Sequence, residues 1–224
     1  MMSGEALAAQ MEFADNPEPR CPVVLLLDTS SSMHGALINE LNNGVSAFRQ
    51  GIASDGLASK RVELAIVEFN SRVNVLQDFA TVETLEPPTL IAGGGTYMAS
   101  GINKALDMLE TRKKLYRASG IDFYRPWIFL ITDGAPGDPA SVWSEACERV
   151  RSSEARKKVA FFAVGVESAN LKKLSELSTR MPLKLKGQCF EELFEWLSAS
   201  LSSVSQSNVG DDVPLSAVNG WAVV

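Results

Sequence analysis

The sequence contains one histidine, His34, and three cysteines, Cys21, Cys147 and Cys189, which stand far apart without a Cys-x-x-Cys pair. This scarcity argues against a zinc module or a disulfide framework and fits a reducing compartment. Long apolar runs are missing too. None approaches the roughly 18 residues of a membrane span, and the opening MMSGEALAAQMEF has neither a basic n-region nor a continuous h-region. A cytoplasmic protein without membrane contact is expected. Positive charge is in deficit, with 21 Lys and Arg against 27 Asp and Glu and a formal net charge of −6. The long-range field therefore repels nucleic acid. Two local basic clusters, Arg112, Lys113, Lys114 and Arg117, and Arg149, Arg151, Arg156, Lys157 and Lys158, fall on helix-like stretches and read as solvated faces. The triple glycine at 93–95 lacks the following G-K-[ST] of a phosphate loop and the G-x-G-x-x-G of a dinucleotide fold. No G-x-S-x-G elbow and no internal repeat occurs.

What is present is a chain of 224 residues, enough for one large domain with a modest tail. A domain of this size buries roughly 70% of the surface its unfolded chain exposes, so no cofactor or disulfide is needed merely to fold it. Residues 23–27, VVLLL, form an unbroken aliphatic run of the kind carried by a strand buried on both faces, and the run ends at Asp28. From Ala36 a helical period takes over, with Leu37, Leu41, Val45, Phe48 and Ile52 on one face. RVELAIVEFN and RVNVLQDF read as two strands whose link at Asn70-Ser71 is short enough only for an antiparallel pair. The stretch 81–95 reads as a return loop, and a long helix follows from Met98 to about Ser119. PWIFLIT is then a buried strand reaching Asp133, and a helix starts near Asp138-Pro139, where Asp suits the cap and Pro the first turn. VAFFAVGV reads as a strand, LKKLSELSTR as a helix, LKLK as a short edge strand and FEELFEWLSASLSSV as a closing amphipathic helix.

This order gives an α/β fold, a doubly wound, mostly parallel six-stranded sheet with one antiparallel edge strand and helices on both faces. The expected organisation is an N-terminal extension 1–19, a domain 20–204 and a tail 205–224. Trp221, Val223 and Val224 are apolar enough that the tail should dock on its own domain or on a neighbour, and Asp211-Asp212 supply carboxylates of the kind a metal site accepts.

Three loops fall at the carboxyl edge of such a sheet: D-T-S-S-S at 28–32, G-G-G-T at 93–96 and T-D-G at 132–134. Asp28, Ser30, Ser32, Thr96 and Asp133 together offer hard oxygen donors with neither imidazole nor thiolate, a set suited to a hard divalent cation, Mg²⁺ first, with Mn²⁺ or Ca²⁺ as alternatives. Each residue also has a structural reading. Asp28 and Asp133 are candidate cap or turn residues, Ser30 and Ser32 can satisfy their own backbone, and Thr96 can cap the helix that follows. Asp138 is explained as a cap and left out of the site.

D-T-S-S-S matches the D-x-S-x-S signature of von Willebrand factor A domains, and Thr96 and Asp133 stand where that family's remaining metal-site residues are expected. The order of elements from about residue 20 to 200 resembles that family as well. Within it, the chain is most similar to bacterial TerY-type proteins associated with tellurium resistance. The resemblance implies a metal-ion-dependent adhesion site (MIDAS). Ser30, Ser32 and Thr96 would bind Mg²⁺ directly, and Asp28 and Asp133 would act through water. A protein partner would then supply a carboxylate to the open position. It further implies partners from the same stress-response system, including kinase- or phosphatase-like proteins. The alternative is an Mg²⁺-dependent phosphatase or hydrolase using Asp28. Against it, position 30 is Ser where a second carboxylate would be expected, no Lys follows the G-G-G-T loop, and His34 stands too close in sequence to the serines for a catalytic relay.

Overall fold

The computed structural model describes residues 13–167, 169–211, 213, 215, 217–218 and 220–223, so residues 1–12, Asp212 and Val224 lie outside the described set. Strands β1 (Cys21–Asp28), β2 (Val62–Phe69), β3 (Val73–Thr81), β4 (Trp127–Thr132), β5 (Ala160–Gly165), β6 (Leu183–Leu185) and β7 (Ala222–Val223) form one sheet in the order β3-β2-β1-β4-β5-β6-β7. The run from β2 to β6 is parallel, and β3 returns antiparallel to β2 through the turn at 70–72. The six strands expected from sequence are all present. The tail adds the short seventh, antiparallel to β6.

Alternation along the central strands sorts their side chains between two cores. Val23, Leu25 and Leu27 of β1 join Phe129 of β4 on one face, beneath helices α1 (Ala36–Ala53) and α6 (Phe190–Ser205). Val24 and Leu26 join Ile128 and Leu130 on the other, beneath α3 (Met98–Ala118) and α4 (Ala140–Ala155). The period read for α1 is the buried one, and α6 turns Phe190, Leu193, Phe194, Leu197 and Leu201 inward. These two helices touch so closely that a Cβ at Gly44 would stand 2.3 Å from Phe194 Cδ2. One turn, α2 (Ala58–Arg61), was not expected. It follows Asp55, whose Oδ1 accepts the Leu57 and Ala58 amides, each at 3.0 Å.

Two sequence expectations change. LKKLSELSTR holds only one helical turn, α5 (Leu171–Leu174), because Ser178 and Arg180 are drawn to the buried Glu154 of α4: Ser178 Oγ donates to Glu154 Oε2 at 2.6 Å and Arg180 forms an ion pair with it. Arg112 and Lys113 are buried rather than solvated, since Arg112 reaches across to Glu63 of β2 and Lys113 pairs with Glu110. The described part of the tail returns to the sheet. Its Trp221 is buried against Trp196 with ring centroids 5.5 Å apart, and the Trp221 carbonyl accepts the Lys186 amide at 2.8 Å. Trp221→Ala is therefore expected to lower Tm by at least about 2–4 °C, the shift that 1 kcal/mol makes in a domain of this size. An unchanged melting curve would mean that the tail's docking contributes no stability.

Candidate functional site

The chain leaves β1 for β2 on one side and later resumes at β4 on the other, so a crevice opens at the carboxyl ends of β1 and β4. Asp28 ends β1 and Asp133 follows β4, so both carboxylates are delivered to this crevice by strands that are buried from end to end. Asp28 is fully buried and Asp133 is 5% exposed.

Backbone bonds stitch the loops together. Thr29 N–H donates to the Phe69 carbonyl at 3.0 Å, Gly93 N–H to Thr29 at 2.8 Å, Ser31 N–H to Gly94 at 3.1 Å and Gly137 N–H to Thr96 at 2.8 Å. Gly94 has φ +80°, and a Cβ there would lie 2.6 Å from Ser71 Oγ, so the glycine loop can seat against the β2–β3 turn only without a side chain. Thr96 is thereby brought over the crevice. A Cβ built on Gly134 would stand 3.6 Å from Thr96 Oγ1 and 3.7 Å from Asp28 Oδ2, which puts that hydroxyl and that carboxylate against the same backbone.

Hydroxyls face both carboxylates. Thr132 Oγ1 donates to Asp28 Oδ2 at 2.5 Å, and the Ser30 amide donates to Asp28 Oδ1 at 2.8 Å. Ser32 Oγ donates to Asp133 Oδ1 at 2.8 Å and lies 3.1 Å from Ser30 Oγ. Among the described residues neither carboxylate has a Lys or Arg partner. Burial, seconded by the nearby charge of Asp133, pushes the Asp28 carboxyl above its usual range, against the lowering effect of its bonds to Ser30 and Thr132.

The structural readings of these side chains can now be weighed. Ser30 occupies the cap position of a single 3-10 turn, Ser31–Met33, yet its side chain caps nothing there. Thr96 is not the cap of α3. Tyr97 holds that position without a side-chain bond, and the capping is done from another loop: Asp138 accepts the Ala99 amide at 2.8 Å and the Ser100 amide at 3.0 Å. Asp138 was read as the cap of its own helix, but α4 begins at Ala140 with Pro139 before it and no side-chain cap. The carboxylate instead locks the Thr96 loop to the Asp133 loop. Thr132 was missed, although its place just before Asp133 at a strand end was a usable signal. His34 is exposed in the turn before α1.

All five expected residues thus converge. The all-oxygen donor set, with neither imidazole nor thiolate, suits a hard divalent cation. Hydroxyls that give their protons to carboxylates turn their lone pairs outward.

Known proteins share this architecture. A von Willebrand factor type A protein from Catenulispora acidiphila superimposes with a TM-score of 0.63 at 16% identity, covering 83% of this chain and 43% of its own. The open conformation of the pilus adhesin SpaC from Lactobacillus rhamnosus GG gives 0.66 at 14% identity, with 83% and 30% covered. The ArnB paralog VWA2 from Sulfolobus acidocaldarius gives 0.52 at 18%, with 83% and 45% covered. The chain therefore spans less than half the length of each of these structures. No curated protein sequence matches it significantly. The von Willebrand factor type A domain family model matches residues 23–191, from the first central strand to the start of the closing helix, and with three loops meeting at the carboxyl edge of that sheet the chain belongs to this family.

Proposed function

We propose that the chain is a metal-dependent protein-binding module. The observation that carries this reading is the pair of buried carboxylates, Asp28 and Asp133, faced by hydroxyls and backbone amides with no basic side chain among the described residues. Buried charge of one sign calls for a counterion, and a divalent cation is the one this oxygen set suits. Ser30, Ser32 and Thr96 would hold Mg²⁺ while Asp28 and Asp133 orient those hydroxyls and their waters. When bound, the ion supplies an electrophilic position for a carboxylate of a protein partner.

Domains of this family are generally protein-interaction or adhesion modules. The rim supports such a use here. Ile91 is 76% exposed and Tyr97 44% exposed on the loop that carries Thr96, giving a partner apolar surface to cover beside its anchoring charge. A binding role is favoured over catalysis because both oxygens of Asp28 are engaged inside the protein, leaving it poorly placed to attack a phosphoryl group. The TerY-type resemblance supports a place in a tellurium-resistance or stress-response system, with kinase- or phosphatase-like proteins among its partners. The three free cysteines support a reducing, cytoplasmic setting, and among the described residues no helix is long and apolar enough to cross a membrane.

The test is affinity capture on the immobilised chain with Mg²⁺ and with EDTA, beside calorimetric titration with Mg²⁺. Saturable Mg²⁺ binding, and a partner retained with Mg²⁺ and lost with EDTA, are expected. Absence of Mg²⁺ binding would sink the reading, as would turnover of a phosphomonoester that depends on Asp28.

A further inference from the structure

At the opposite edge of the sheet, where β4 and β5 begin, the structure holds a cavity of about 380 Å³. Trp127 opens β4 and Thr132 closes it beside Asp133, so at the strand's usual rise of about 3.3 Å per residue this cavity lies on the order of 20 Å from the metal crevice. Six cationic side chains line it, Lys113, Arg117, Arg125, Lys157, Lys158 and Arg180, with Asp211 the one carboxylate among the described lining residues. They come from four separate places in the sequence. Lys113 and Arg117 belong to α3, Lys157 and Lys158 follow α4, Arg125 precedes β4 and Arg180 precedes β6. Lys113 and Arg180 are already paired with Glu110 and Glu154; even so, in a chain of net charge −6 this gathering opposes the overall field, and cations collected round a concave site focus potential on an anion.

The remaining lining is apolar. Phe123, Trp127 and Phe162 contribute rings, and Val213 and Leu215 of the tail form a wall. Two of the guanidinium groups already lie over rings, Arg117 over Phe123 at 5.4 Å and Arg180 over Phe162 at 5.2 Å. Such planes accept a further planar group by stacking while their N–H groups meet phosphate oxygens. The volume is that of a small-molecule site and is too small for a macromolecule.

We propose that this cavity is a binding site for a nucleoside phosphate, with the phosphates among Arg117, Lys157 and Lys158 and the base against the ring-lined floor. The site is independent of the metal crevice. Its test is calorimetric titration of the full chain with ADP, pyrophosphate and adenosine, in EDTA so that no metal bridges the probe to the crevice. Saturable ADP binding is expected, with pyrophosphate and adenosine each weaker by about tenfold or more, a difference of one decade in Kd. The double variant Arg117→Glu, Lys158→Glu changes two exposed side chains, and an unchanged Tm would show that it folds. It should weaken ADP by at least about tenfold through lost charge-assisted bonds. No saturable ADP binding, or equal affinity in a folded double variant, would overturn the site. Pyrophosphate binding as tightly as ADP, or adenosine doing so, would overturn the nucleoside phosphate assignment.

Discussion

Glu63→Ala should remove about 3–5 kcal/mol of stability, the usual cost of taking one partner out of a buried ion pair. Glu63 and Arg20 are both fully buried, and Arg112 is 8% exposed. Glu63 Oε1 accepts Arg20 Nε at 2.8 Å and Arg112 Nη2 at 2.9 Å, while Oε2 accepts Arg112 Nε at 2.8 Å and the Tyr116 hydroxyl. Truncation would leave two guanidinium charges in a low-dielectric interior without the carboxylate that balances them. Against a total of about 5–15 kcal/mol for a domain, that loss is large. Urea denaturation reads it as a fall in midpoint at constant slope. Glu63→Gln keeps the volume and should still lose most of the same amount, because its amide cannot neutralise the guanidinium groups. If Gln were as stable as Glu, packing and not charge would hold this corner.

In the crevice at the ends of β1 and β4, the proposed metal site, Asp28→Ala should weaken Mg²⁺ by about 10–100-fold, the usual effect of deleting a group that orients metal ligands. Partner binding should fall with it. Ser30→Asp should behave differently. Ser30 is 2% exposed, and its hydroxyl lies 3.1 Å from that of Ser32. A carboxylate there adds a third negative charge beside Asp28 and Asp133, so Mg²⁺ should bind as well as before or better. The same charge satisfies the ion from within and faces the incoming carboxylate, so the partner should weaken by at least about tenfold, since like charges at an interface repel. Titration of both variants with Mg²⁺, then with the partner recovered by capture, separates the two effects. A Ser30→Asp protein that binds metal and still binds its partner normally would rule out an electrophilic ion as the anchor.

These two regions differ in how far the sequence exposes them. β1, β4 and β5 are legible because both faces are buried, which leaves a short uninterrupted apolar run bounded by turn residues. Asp28, Ser30 and Ser32 are legible because one loop places them together, and Thr96 and Asp133 because each stands at a point where the fold must deliver a loop to the same edge. Asp138 misleads, since Asp-Pro before a helix reads locally as a cap, whereas its carboxylate serves α3 from 38 and 39 residues away. Arg112 misleads in the same manner. Nothing in its own helix announces a carboxylate 49 residues back. The tail strand and the basic cavity are likewise products of distant segments meeting, which periodicity within one segment does not encode. Ser178 and Arg180 end a helix for the sake of Glu154, so even the local pattern there yields to a partner elsewhere.

The pairing of α6 with α1 bears on how the chain must be made. Ser198 Oγ reaches the Phe48 carbonyl at 3.5 Å from 150 residues further along. A ribosome adding roughly 5–20 residues per second takes on the order of 8–30 s to cover that distance. For that interval Leu41, Val45 and Phe48 have emerged while the helix that covers them has not. The nascent chain thus presents a sticky surface for seconds, long enough for a chaperone to bind or for neighbouring nascent chains to associate. Synthesis rate and chaperone supply should therefore bear on the yield of this protein, alongside the stability of its finished fold.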